Sequence, residues 1–244
     1  MLFNSGFFLL LRWKLLSMRV MFPLFIIVQT LLSVGIVFGF SFLIPELDNT
    51  SSIYLTTGAP TVILLAIGFV ILPQGIAESK TKGTFEYMLT WPLPRLLYLL
   101  VDAIVWIIIT IPGIILALII ASVRFDILVS FNPFAIAILL FVGLTSICVG
   151  YAISVLLPPS IAQLLSQVLM IGVLLFSPIN FPAERLPEWL EIIHALLPIE
   201  HMANAVRGAL SPENFDIKGV TWIALTVWCF IGFLCSYLTI SRRK

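Results

Sequence analysis

Glu78-Ser-Lys-Thr-Lys-Gly-Thr-Phe-Glu-Tyr-Met-Leu-Thr-Trp-Pro-Leu-Pro-Arg95 is a compact charged segment wedged between two long apolar runs. The chain around it is 61% hydrophobic and only 10% charged, with a mean hydropathy of +1.15, whereas a soluble domain is roughly 25% charged. A polar island in so apolar a chain reads as a loop at a membrane face, turned toward a soluble partner. A spanning helix needs about 20 mostly apolar residues, at about 1.5 Å per residue, to cross a hydrocarbon core of roughly 30 Å. Six such runs are present: Phe22 to Ile44, Thr57 to Ala77, Leu96 to Ala121, Pro133 to Leu157, Ile161 to Asn180 and Val220 to Ile240. They take up more than half of the chain. No Pro-, Gly- or Ser-rich linker sets off a second domain, so residues 1–244 read as a single transmembrane domain.

Net charge is +1, but its distribution is uneven. Arg12, Lys14 and Arg19 precede the first run, Lys80, Lys82 and Arg95 lie between the second and third, and Arg242, Arg243 and Lys244 end the chain. The alternate loops hold Arg124, Arg185, Arg207 and Lys218 among the acids Glu46, Asp48, Asp126, Glu184, Glu188, Glu191, Glu200, Glu213 and Asp216. Because cytoplasmic loops hold the excess of Lys and Arg, both termini are expected in the cytoplasm of a multi-pass plasma-membrane protein. No small-residue cleavage site follows the first run, so it is not read as a removable signal.

Residues 1–20 carry apolar, basic and Trp side chains, the composition of an interfacial helix or of a cytoplasmic extension of the first span. Pro45 to Thr56 reads as a short polar connection. Pro158-Pro159-Ser160 is expected to join the fourth and fifth spans as a tight antiparallel hairpin. The longest interruption, 181–218, is punctuated by Pro182, Pro187, Pro198 and Pro212. Within it, apolar residues at 189, 190, 192, 193, 196 and 197 form a helical stripe opposite Glu188, Glu191 and His194. A second short amphipathic stretch runs from Ile199 to Leu210. Both are too short to span and read as re-entrant or interfacial helices over the external ends of the spans.

The sequence holds no Gly-x-x-x-x-Gly-Lys-Ser/Thr loop, so any nucleotide-derived energy must come from another chain. Cys148, Cys229 and Cys235 lie inside spans without metal-ligand spacing and read as packing residues. His194 and His201 have no Ser or Cys nucleophile and no ligand cluster beside them, and read as interfacial side chains. The basic residues sit at membrane borders, which gives no sign of nucleic-acid binding. Asp102 is the ionisable residue inside a span; it reads as an interfacial carboxylate or a partner of Arg95, against the alternative of a pathway residue. Gln163, Ser166 and Gln167 either line a pathway or bond neighbouring helices.

With these residues in view, the chain resembles a membrane subunit of the ABC-2 type of ATP-binding-cassette exporters. The likeness rests on six spans with both termini inside, on Glu78, Lys82-Gly83-Thr84-Phe85-Glu86, Pro92 and Arg95 after the second span, and on Phe181-Pro182, Leu186-Pro187, Pro198 and Arg207 before the sixth. It implies an all-α integral membrane fold of the type V-like exporter kind. It implies partners as well: two ABC ATPase subunits, and a second permease copy, by default a homodimer with closed two-fold symmetry. ATP and Mg would then sit on the ATPase, with no cofactor on this chain. By the same resemblance residues 78–95, with Lys80 among them, include a coupling helix that seats on the ATPase. Residues 181–210, with Trp189, would close the external gate, and 1–20 would be an elbow helix. The external loops lack the large domain of macrolide-type or lipoprotein-handling exporters. The expected function is ATP-driven export of an amphipathic drug, antibiotic or similar lipophilic substrate. The alternatives are export of a lipid-linked glycan or other envelope component, a haem-exporter permease, and, in a different class, an ion-gradient carrier using Asp102, with Gln163 and Gln167 along its path.

Overall fold

The computed structural model describes residues 2–43, 48–127, 129–130 and 132–242, and all regular structure among them is helical. Glu46, Arg243 and Lys244, counted above in the charge distribution, lie outside the described residues. Helix α1 (Leu2–Met18) is followed by a first span built from α2 (Phe22–Val34), a π-turn (Gly35–Gly39) and α3 (Phe40–Leu43). The second span combines α4 (Asn49–Ala66), a π-turn (Ile67–Ile71) and α5 (Leu72–Thr81). After the short α6 (Thr84–Leu89) come the spans α7 (Arg95–Phe125), α8 (Pro133–Leu156) and α9 (Pro159–Phe176). The short α10 (Glu188–Leu196) and α11 (Pro198–Leu210) then lead into the last span, α12 (Gly219–Arg242). Among the described residues six helices are thus long and apolar enough to cross a membrane.

The second span is the hub. Of its most apolar window 89% is buried, against 28% for Phe22–Phe42, 17% for Pro159–Phe176 and 22% for Gly219–Ser241. Small residues make this close packing possible, as they do between membrane helices generally. A Cβ on Gly150 would stand 1.7 Å from the Gly68 carbonyl oxygen, and one on Gly68 would stand 1.8 Å from Ser146 Oγ. The π-turn Ile67–Ile71 falls just before Pro73, which lacks the N–H that would bond the Phe69 carbonyl, so the wider turn relieves the resulting mismatch. Ser146 then donates to the Leu64 carbonyl at 2.9 Å, tying α8 to α4. In α7, which contains Pro112, the Ile109 carbonyl accepts from Gln29 Nε2 of α2 at 3.1 Å.

Several expectations change. The polar connection ends earlier than Thr56: Asp48 caps α4 by accepting from the Ser51 backbone N–H at 2.9 Å, so Asn49 to Thr56 are helical. The fifth span stops at Phe176 rather than Asn180, because Ser177 is extended and a turn follows. The fourth and fifth spans do not form a tight hairpin. Leu157 and Pro158 are extended, and α9 packs chiefly on α5 and the second π-turn instead of α8. His194 and His201 are buried against the chain's own helices. The stripe on α10 is turned the other way: His194 faces inward, while Trp189, Ile192, Ile193 and Leu196 are exposed.

Candidate functional site

Polar and aromatic apparatus gathers at the two ends of the bundle. At the end where α6 lies, Leu10 and Lys14 of α1, Phe85 and Met88 of α6, Asp102 of α7, Tyr151 of α8 and Ile240 of α12 surround one small cleft. Gly83 stands between α5 and α6 with φ +72°, and nothing lies within 4 Å of a Cβ there, so glycine is used for its backbone freedom and not for close contact. That turn sets α6 across the ends of the spans. Phe85 is buried, while Glu78, Lys82, Thr84, Glu86 and Tyr87 are exposed, as is Pro92 beyond α6. Glu78 and Lys82 pair with each other at 2.5 Å one helical turn apart.

Three side chains fasten this segment to the spans by binding backbone carbonyls at helix C-termini, where no intrahelical donors remain. Arg95 Nη1 donates to the Leu89 carbonyl and Tyr98 Oη to the Met88 carbonyl, 2.7 Å away, so α7 holds the last turn of α6. Lys80 Nζ donates to the Ser154 carbonyl and reaches those of Val155 (3.4 Å) and Leu157 (3.3 Å), which holds α5 to the end of α8. A cation is favoured there by the helix dipole as well. Lys80 and Arg95 are therefore anchors of the segment, and its exposed face belongs to their neighbours. From the other side Trp13 of α1 meets Trp91 edge to face at 5.3 Å, and Trp91 meets Tyr87 at 6.1 Å.

Asp102 is not paired with Arg95 but with Lys14. It is 7% exposed, its Oδ1 lies 2.5 Å from Lys14 Nζ, and its Oδ2 accepts from the Tyr151 hydroxyl at 3.1 Å. The reason is topological: α1 folds back across the start of α7 and brings Lys14 to the carboxylate, while Arg95 is drawn to α6. Sequence reasoning missed Lys14 in this role, Tyr151, Tyr98 and the exposed Tyr87. The one signal for the first two was a lysine in an otherwise apolar amphipathic stretch and a tyrosine inside a span.

At the opposite end, Arg207 of α11 is 2% exposed. Its guanidinium stacks on the Tyr54 ring at 3.8 Å, and donates to Asn204 Oδ1 and to the Ile179 carbonyl, each at 2.8 Å. Burial pulls its pKa down to about 10, which still leaves it charged near neutrality. Pro198 is buried at the first turn of α11; Phe181, Pro182 and Leu186 are half-buried, and Pro187 and Trp189 are exposed. The residues expected to act together here are thus divided between an inward cluster about Arg207 and an outward apolar face on α10. Gln163 and Gln167 are exposed on α9, beside the exposed Ile161, Leu164, Val168, Ile171 and Leu175, and Ser166 is buried, bonded within its own helix. Cys148 and Cys229 bring their Sγ atoms to 3.9 Å between α8 and α12. Among the described residues no cluster of His, Cys, Asp or Glu has the makings of a metal site.

Six apolar spans, a helical fold and polar machinery confined to helix ends define an all-α, multi-pass membrane protein. The chain belongs to the ABC-2 type transporter family, whose family model matches residues 6–211. It is the permease, the membrane-spanning transport subunit, of an ABC transporter, and the family implies pairing with an ABC ATPase subunit. No match to a curated protein was found.

Proposed function

We propose that this permease exports an amphipathic, lipophilic substrate from the cell, driven by ATP hydrolysis on two ATPase subunits docked at the end where α6 lies. The observation that carries the reading is the mounting of α6: an exposed polar and aromatic face on a helix whose last turn Arg95 and Tyr98 of α7 hold, with Lys80 tying the preceding α5 to the end of α8 and Trp13 of α1 against Trp91 just beyond α6. A helix so held passes a push from a docked protein to the spans as a rigid body and does not absorb it. Residues 78–95 then act as the coupling segment, with Glu78, Lys82, Thr84, Glu86 and Tyr87 on its contact face. The excess of Lys and Arg at this end supports a cytoplasmic position for it, with the α10–α11 region as the external gate.

The exposed apolar faces of α2, α9 and α10 support a second permease copy: Leu24, Ile27 and Leu31 of α2 stand exposed among the described residues. Two-fold pairing there brings Gln163 and Gln167 toward the pathway. The neutralisation of Asp102 by Lys14 weighs against an ion-gradient carrier, which needs a carboxylate free to exchange its cation. The test is co-expression with a candidate ABC ATPase subunit and ATP turnover in proteoliposomes. Turnover that rises with lipophilic compounds and falls in Tyr87→Ala supports the reading. Transport that follows a proton or sodium gradient without an ATPase overturns it.

A further inference from the structure

The cavity beside Arg207 has the chemistry of a ligand site. It has a volume of about 250 Å³ and is bounded by α4, α11 and the segment leading into α12. That equals the liquid volume of roughly eight waters at about 30 Å³ each, and is smaller than the roughly 300 Å³ at which drug-sized pockets begin. It accommodates a head group, not a whole amphipathic cargo.

Two buried polar atoms of opposite character among its lining residues have no hydrogen-bond partner: Arg207 Nε and Glu200 Oε2. Leaving either a buried donor or a buried acceptor unmade costs about 1–3 kcal/mol, more for charged groups. They do not satisfy one another, since no ion pair joins Arg207 to Glu200 or Glu184 among the described residues. Glu200, Asn204 and Arg207 stand on one face of α11, at positions i, i+4 and i+7, so the two unmet groups are about 10 Å apart along the helix axis at their backbones and lean toward one space. The further charges on the cavity are Glu184, Asp216 and Lys218. Three carboxylates against two cations disfavour a bare anion, and the buried guanidinium disfavours a bare amine.

We infer that this cavity binds a small zwitterionic group, an anionic phosphate or carboxylate received by Arg207 Nε–H and an ammonium received by Glu200 Oε2. The ring of Tyr54 is occupied by the guanidinium and fixes it in place for this purpose. The same chemistry occurs in a phosphoethanolamine lipid head group of the adjoining leaflet and in a free zwitterion carried to the site. Neither source depends on an ATPase, so the inference stands or falls apart from the transport reading.

The full-length chain in nanodiscs tests it by thermal melting with phosphoethanolamine, glycerol phosphate and ethanolamine. In discs of phosphatidylglycerol, phosphoethanolamine stabilises the protein and the two half-ligands at equal concentration do not. Glu200→Gln, nearly isosteric and able to fold, lowers the preference for phosphoethanolamine over glycerol phosphate at least tenfold, with its melting temperature without ligand unchanged. In discs of phosphatidylethanolamine a lipid occupant raises the melting temperature of the native chain above that of Glu200→Gln, and added phosphoethanolamine then has no further effect. A free zwitterion as occupant instead keeps its effect in both kinds of disc. Equal responses to phosphoethanolamine and glycerol phosphate in both chains, or none in either disc, overturn the inference and leave a water-filled pocket.

Discussion

Replacement of Asp102 by Asn removes the charge that Lys14 faces while keeping the side-chain shape and an acceptor for the Tyr151 hydroxyl. Removing one member of a buried ion pair costs about 3–5 kcal/mol, because the other charge is left without compensation. Here the lower end applies: Lys14 retains 16% side-chain exposure against 10% for Asp102, and a long lysine stem swings its ammonium toward water more easily than a carboxylate does. About 3 kcal/mol, at about 1.4 kcal/mol per tenfold, is a roughly hundredfold increase in the population with α1 detached. The loss is local, because α1 reaches the bundle chiefly through α7. Hydrogen exchange of the α1 amides in nanodiscs reads it directly: those around Leu10 to Lys14 exchange roughly a hundredfold faster in Asp102→Asn, while α4 keeps its protection. Lys14→Met leaves the carboxylate buried and costs at least as much, and the double variant Lys14→Met/Asp102→Asn costs less than the two singles together. Unchanged exchange in Asp102→Asn, or single costs that simply add, would refute the view that this pair docks α1.

Tyr87→Ala touches no buried group, since Tyr87 is 64% exposed; its melting temperature stays near that of the native chain while affinity for the ATPase falls by about 2 kcal/mol, roughly thirtyfold, as for an aromatic interface anchor. An equal affinity in a pull-down titration would remove Tyr87 from the contact face. Gly150→Ala forces a Cβ to within 1.7 Å of the Gly68 carbonyl oxygen, backbone that has no rotamer to yield, so it destabilises by about 1–3 kcal/mol or more, whereas Gly172→Ala, with nothing within 4 Å, is neutral in the same melting assay. Burial lowers the pKa of His194, partly opposed by Glu200 and the Phe176 backbone. The folded state therefore binds its proton less readily than the unfolded state. The contribution of the neutral ring is full above the unfolded value, about 6.5, and is lost as pH falls through the lower folded value. The melting temperature of the native chain should drop more steeply below that pH than that of His194→Gln, and parallel curves would contradict it.

What the sequence determined by itself was the solvent of the fold. Runs of about 20 apolar residues have one stable solution in hydrocarbon, a helix with its backbone bonds closed within the segment, and the same exclusion gathers the charged residues into the interruptions between runs. The polar segment 78–95 and the proline-punctuated stretch before the last span were legible for that reason, each being an interruption that the apolar background makes conspicuous. Partnerships between distant positions were not legible. Arg95, two helical turns away, was the companion the sequence offered for Asp102, and only the return of α1 across α7 brought Lys14 to 2.5 Å. The amphipathic stripe on α10 was visible in its spacing, but periodicity gives a face without saying what lies against it. The tertiary structure turned that face outward and buried His194. The two unsatisfied atoms beside Arg207 likewise exist only once α4, α11 and the entry to α12 are assembled. An unmet hydrogen bond is a property of the space around a side chain, and that space is built by residues far apart in sequence.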